Sequence, residues 1–194
     1  MHNGFGLKRN FTKKHMFEKF KTAGYHDITY PHREILHGII AKHNPTSIID
    51  LGCASGPDLF LVHESFPEAK LFGVDRNGDG LNAVRGMGGE VIVGPLELVI
   101  QNIPDKSFDV VMTNGVLMYL KDEQINDVLD HMIRITKKAI ILSEINPYSP
   151  NNLRDYVGYF TDKGLRCEAH KIPPEIRSDT EWSHNGYIYE AVIG

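Results

Sequence analysis

The 194 residues, 41% of them hydrophobic, suffice for one domain with a sizeable core and are short for two. Two cysteines, Cys53 and Cys167, cannot build a disulfide framework, and no apolar run approaches the roughly 20 residues of a membrane-spanning helix. The net charge of −4 is uneven: residues 1–24 carry six basic side chains against Glu18, leaving +5 there and −9 over the rest. A basic arm before an acidic body lacks the broad basic surface that nucleic acid demands, so nucleic acid is not an expected partner. The N-terminus has no apolar signal core, and a reducing, cytoplasmic setting is expected.

The chain alternates strand-like and helix-like segments without a repeat or linker, which predicts a single domain over 1–194 with residues 1–32 as a basic arm or lid. In that lid Tyr25, Tyr30 and His32 are candidates to close over a ligand. Residues 33–43 place Ile35, Leu36, Ile39 and Ile40 on one helical stripe. A strand follows at Ser47–Leu51, then a glycine turn, then a helix that opens on Pro57. KLFGVD is a second strand, DGLNAVRGM a weak helix, EVIVG a third strand and SFDVVMTN a fourth. Residues 122–136 form the clearest helix: Ile125, Val128, Leu129, Met132 and Ile133 keep helical spacing behind a predicted Asp122 cap.

AIILSEI reads as a fifth strand. Continuous apolar strands suit a parallel sheet covered on both faces, and the alternation predicts a doubly wound α/β domain. The end breaks the rhythm. After a helix over 151–163, LRCEAHKI and GYIYEAVI are strands with no helix pattern between them, so an antiparallel pair is expected to finish the sheet.

SIIDLGCASGPD carries the chemistry. A strand that runs through a glycine turn into a helix brings free N–H groups and a positive helix end to the sheet's carboxyl edge. Gly52 and Gly56 are expected to admit a ligand close to the backbone, and Ser55 offers a hydroxyl. Asp50 would repel a phosphate and suits a cationic group. Asp75 closes the second strand where an acid can accept both hydroxyls of a ribose. A nucleoside with an ammonium or sulfonium at its other end meets both demands.

These residues resemble the class I, Rossmann-like S-adenosylmethionine-dependent methyltransferases. The likeness rests on DLGCASG, on GVD, on IPDKSFDVVMTNGVLMYL and on the antiparallel ending, and covers about residues 33–194. It implies a mostly parallel seven-stranded sheet and S-adenosyl-L-methionine as cofactor, with S-adenosyl-L-homocysteine as product. By position it implies that Asp50, Gly52, Ala54, Ser55 and Gly56 line the methionine end, that Asp75 takes the ribose, that Arg76 flanks the adenine and that the Asn114 backbone lies near the sulfonium. Leu96 or Glu97 would face the adenine amine, and Tyr30 would belong to the lid. Ala54 stands where the family usually has its middle glycine, and Arg76 where an apolar residue is common.

Other readings compete. A dinucleotide dehydrogenase also uses a glycine turn, but G-x-G-x-x-G is absent. A binding module that keeps the pocket without turnover is the second alternative. The ten histidines show no metal-ligand spacing, and no metal is expected. For catalysis the candidates are His184, Tyr119 and Glu144, each with a bland counterpart as a loop, packed or strand-end residue. The basic arm and the aromatic residues Tyr25, Tyr30, Tyr156, Tyr159 and Trp182 favour a small-molecule acceptor, an anionic metabolite or a glycan unit.

Overall fold

The computed structural model describes residues 28, 31–145, 154–173 and 186–194. The basic arm, Tyr25, Tyr30, Trp182 and His184 lie outside them.

Seven strands form one sheet: β1 (Ser47–Leu51), β2 (Lys70–Asp75), β3 (Glu90–Val93), β4 (Phe108–Asn114), β5 (Thr136–Ile145), β6 (Arg166–Lys171) and β7 (Gly186–Val192). Their order is β3-β2-β1-β4-β5-β7-β6. The first five are parallel, and β7 runs antiparallel to both β5 and β6. The predicted antiparallel ending is therefore a single reversed strand slotted between two others. With no helix between them among the described residues, β6 and β7 pair directly, Arg166 opposite Val192 through Lys171 opposite Tyr187.

Side chains alternate across the sheet and divide the apolar runs between two cores. Ile48, Val110, Met112, Ile141 and Ile188 meet α1 (Pro31–Lys42), α2 (Pro57–Ser65) and α3 (Asn82–Gly86) on one face. Ile49, Leu51, Val111, Ile140 and Leu142 meet α4 (Leu96–Val99), α5 (Asp122–Ile135) and α6 (Tyr156–Asp162) on the other. Burial on both faces holds for β1 and β4 but not for β3, which is an edge strand with Ile92 and Val93 exposed.

Several boundaries differ from those expected. Asp122 is the first residue of α5 rather than its cap. The Lys121 N–H donates to Gln124 Oε1 (3.0 Å), and the Asp122 carboxylate accepts from Arg154 instead (2.9 Å). β5 starts three residues early, at Thr136, because the ladder with β4 begins at Phe108 opposite Thr136 and Lys138 pairs with Asp109 (2.9 Å). α6 starts at Tyr156, where the Asp155 carboxylate accepts from the Gly158 N–H (2.8 Å) and so caps it. Between β3 and β4, where no helix was expected, lies the short helix α4.

Strand order reverses between β1 and β4, so the loops beyond their carboxyl ends diverge to opposite faces and leave a crevice. The glycine turn opens into it.

Candidate cofactor site

The turn from Gly52 to Gly56 uses left-handed backbone at alternate positions: φ is +89° at Gly52, +50° at Ala54 and +79° at Gly56. The Gly52 and Cys53 N–H groups both donate to the Val74 carbonyl (2.7 and 3.0 Å), which lashes the turn to β2. The Asp75 carboxylate completes the lashing. Its Oδ2 accepts from the Ala54 N–H (2.9 Å) and its Oδ1 from the Asn77 N–H (2.8 Å). Each oxygen keeps a lone pair for another donor.

Close approach of a ligand was the expected reason for the glycines; the protein's own packing supplies another. A Cβ on Gly52 would lie well inside contact distance of the Val116 side chain, and one on Gly56 would lie 2.5 Å from Val84 Cγ2. Positive φ and these neighbours demand glycine before any ligand is considered.

Three carboxylates converge on the turn. Asp50, at the end of β1, is buried, and its Oδ1 is enclosed without a hydrogen-bond partner. Asp58, in the first turn of α2, is buried in an ion pair with Arg33 of α1 and accepts from Asn114 Nδ2 (3.0 Å). Burial and then the Asp58 charge push the Asp50 carboxyl well above the usual carboxylate range, with Arg33 pulling weakly the other way and Asp75 adding to the rise. Burial also raises Asp58, but the charge and hydrogen bond of Arg33, the Asn114 amide and His32 outweigh it, and its net direction is down. The crevice thus holds one strained acid at Asp50, one satisfied acid at Asp58 and a tethered acid at Asp75.

Arg33 and Asp58 escaped the sequence analysis. A signal for Arg33 existed, since Arg33, Leu36 and Ile40 share an i, i+3, i+7 stripe, and a charge on an apolar stripe implies a buried partner. Removing that partner's charge is costly. Arg33→Met should destabilise the fold by about 3–5 kcal/mol by leaving Asp58 buried and uncompensated; urea unfolding measures this, and an unchanged midpoint would refute it.

The remaining predicted residues fall at two distances from the crevice. On the β2–β3 side the Gly94 N–H donates to the Asp75 carbonyl (3.0 Å). Of the two candidates beyond it, Leu96 is buried in the core with Val74 and Ile100, whereas Glu97 has an enclosed Oε2 without a hydrogen-bond partner. Only Glu97 is suited to meet a donor. Ser55 is buried and Arg76 exposed. Asn114 spends its side-chain amide on Asp58.

Tyr119 lies on the 3-10 turn Leu117–Tyr119 after β4 and is 79% exposed. Glu144, near the end of β5, is 1% exposed, so the structure does not bring these two catalytic candidates to a common surface. The Oε1 of Glu144 accepts from the Thr113 hydroxyl (2.9 Å) and from the N–H groups of Val116 (3.2 Å) and Leu117 (3.1 Å), while its Oε2 is enclosed without a partner. Burial lifts its pKa from the ordinary 4.5 to about 7 against the lowering effect of these bonds. A raised folded-state value means that ionisation opposes folding, so this group makes the fold less stable as pH rises from 4.5 to about 7.

Six strands that share one direction and one reversed strand, with an acidic glycine turn at the point where strand order reverses, define the class I methyltransferase architecture. A family model for a methyltransferase domain matches residues 42–190, and the chain belongs to that family of S-adenosylmethionine-dependent enzymes. No curated protein matches the sequence. Among solved structures, it is similar to an S-adenosylmethionine-dependent methyltransferase from Archaeoglobus fulgidus (17% identity, TM-score 0.63, 91% of this chain and 97% of that one). It is also similar to the magnesium protoporphyrin IX methyltransferase of Synechocystis PCC 6803, solved with S-adenosylmethionine bound (16%, 0.64, 95% and 93%). A third is a plantazolicin methyltransferase in complex with S-adenosylhomocysteine (12%, 0.63, 92% and 90%). Among the described residues no helix is long and apolar enough to cross a membrane.

Proposed function

We propose that the chain transfers the methyl group of S-adenosylmethionine to a small-molecule acceptor, with Asp50 facing the ammonium end of the cofactor and Asp75 its ribose. The buried, unpartnered Oδ1 of Asp50 carries this reading. An enclosed carboxylate oxygen without a donor calls for a cation, and an acceptor set of Asp50, Asp75 and Glu97 around bare backbone suits an ammonium, a diol and an amine. A pyrophosphate at the same turn would leave the Asp50 Oδ1 without a cation and oppose its ionisation, which argues against a nicotinamide dinucleotide.

The cofactor, when bound, supplies a methyl group already activated on sulfur. The chain's own residues therefore have to align and enclose rather than activate. Asp50 would ionise against the ammonium, Asp75 would hold the sugar without releasing the turn, and Ala54, with Gly52 and Gly56, would present the backbone. A proton acceptor is required only for an acceptor atom that must lose a proton, and His184 and Tyr119 are the candidates, since Glu144 has one oxygen filled with donors and the other enclosed.

Ionisation of Asp50 on binding has a measurable sign. A carboxyl held protonated in the free protein and ionised in the complex releases a proton, so affinity for S-adenosylhomocysteine should strengthen as pH rises toward the free-protein pKa of Asp50 and level off above it. Calorimetry in buffers of different ionisation enthalpy reads the proton, and Asp50→Asn should abolish its release. Equal heats in all buffers throughout that range would refute the assignment.

The acceptor is assigned to the small-molecule class, anionic or glycan, because of the basic arm and the aromatic residues Tyr25, Tyr30 and Trp182 in the sequence; of the other aromatic candidates, Tyr156 is buried in the core and the Tyr159 hydroxyl is spent on Asn126 and Asp130 of α5. Deleting residues 1–24 should impair turnover across a panel of such acceptors more than S-adenosylhomocysteine binding, and equal loss of both would count against the arm as an acceptor element. Titration with NAD in parallel separates the nicotinamide alternative, and turnover of any acceptor separates an enzyme from a binding module. The solved relatives act on chemically unlike acceptors at nearly the same TM-score, so the fold does not select one.

A further inference from the structure

We propose that Glu144 is a positioning residue: by holding the turn after β4 it seats Val116 on Gly52 and so sets the shape of the cofactor turn. The inference rests on the assignment of that turn to S-adenosylmethionine.

The chain of contacts is continuous. Glu144 Oε1 gathers the Thr113 hydroxyl and the Val116 and Leu117 N–H groups on one oxygen. The Gly115 N–H between them donates to the Ser143 carbonyl (2.7 Å), the residue preceding Glu144 on β5. From the other side, the Arg154 guanidinium donates to the carbonyls of Leu117 and Leu120 (2.8 Å to the latter) and to the Asp122 carboxylate. A carboxylate therefore holds the N–H groups of the turn and a guanidinium its carbonyls. Between them Val116 has no freedom to withdraw, and its isopropyl group occupies the space that a Cβ on Gly52 would need. The position of β5 is thereby transmitted to Gly52, whose own N–H and that of Cys53 are bound to β2.

The same geometry argues against Glu144 as a general base. A base must reach the proton it takes, directly or through one water. Glu144 has one oxygen filled with donors and the other enclosed. The titratable groups that face it are Tyr156 of α6 and Tyr189 of β7, with Arg154 engaging Tyr156. Its raised pKa follows from burial among them, not from poise toward an acceptor.

The test is calorimetric titration of S-adenosylhomocysteine into wild type, Glu144→Leu, Glu144→Gln and Val116→Ala, with amide exchange at Cys53 and Ala54 followed without ligand. Leucine removes the acceptor oxygen and glutamine keeps it. Glu144→Leu should weaken binding by about tenfold or more and speed exchange at both amides, and Glu144→Gln should restore both to within about threefold. Val116→Ala, which keeps Glu144 and removes the contact with Gly52 together with part of the packing of Val116 on the core, should weaken binding by about fivefold, and it decides the matter if Glu144→Leu does not fold. Wild-type affinity in both Glu144→Leu and Val116→Ala would overturn the proposal, as would a glutamine variant as weak as the leucine one. Failure of wild type to bind would overturn the cofactor assignment instead, and the amide exchange would still report whether Glu144 sets the turn.

Discussion

Asp75→Ala should weaken S-adenosylhomocysteine binding by about a hundredfold, the largest loss of affinity expected from any single side chain of the site. The carboxylate accepts the Ala54 and Asn77 N–H groups, so its removal both loosens the glycine turn and deletes the acceptors proposed for the sugar. Hydrogen bonds to a charged acceptor are worth about 1.5–3 kcal/mol each, and a net loss of about 3 kcal/mol corresponds to roughly two orders of magnitude in affinity. Asp75→Asn keeps one acceptor oxygen and should fall between, about tenfold below wild type. Calorimetry at fixed pH gives the values, with circular dichroism as the check on folding. An alanine variant that is folded and binds as wild type would remove Asp75 from the site.

Gly52→Ala should be the most destabilising single-methyl change in the turn. Left-handed backbone at a residue with a Cβ costs about 1–2 kcal/mol, and forcing that Cβ into the Val116 side chain adds about 1–3 kcal/mol of overpacking. A loss of about 2–5 kcal/mol in a chain of this size lowers the melting temperature by about 5–15 °C. The two causes separate in a double-mutant cycle. Val116→Ala in the Gly52→Ala background should recover the overpacking share, a coupling of about 1–2 kcal/mol, and leave the backbone share. Additive effects would mean that Val116 does not fill the space above Gly52. A Gly52→Ala protein that melts like wild type would deny both causes.

The two experiments probe opposite sides of one turn. β2 holds it through Asp75 and the Val74 carbonyl, and β4 and β5 hold it through Val116 and Glu144. Asp50 lies between these anchors, on the strand paired with both β2 and β4, with an enclosed oxygen left unpartnered.

Much of this was legible in the chain. The acid before the glycines and the acid at the end of β2 led to the expectation of a ligand with a cation and a sugar, and the structure brings both carboxylates to the glycine turn, because a short strand and a tight turn fix where those residues sit. The lack of a helix pattern in the sequence between the last two strands required an antiparallel pair. The role of the glycines was legible only as a need for bare backbone, since Val116 and Val84 lie 64 and 28 residues away in sequence from the positions they crowd. Arg33 was visible as a misplaced charge, but its partner Asp58 was not. Glu144 was legible as an acid near a strand end and invited a catalytic role.

Local rules, the period of the apolar residues, the conformational demands of glycine and proline and the reach of a strand-end acid, determined the architecture, the family resemblance and the two carboxylates proposed to grip the cofactor. Tertiary packing alone decided that Asp58 is neutralised by Arg33 while Asp50 Oδ1 is left unpartnered, and that one oxygen of Glu144 accepts from the Thr113 hydroxyl and the Val116 and Leu117 amides. The physical reason is that a charge takes its state from whatever the fold presses against it. Those neighbours come from strands and helices that only the sheet order brings together.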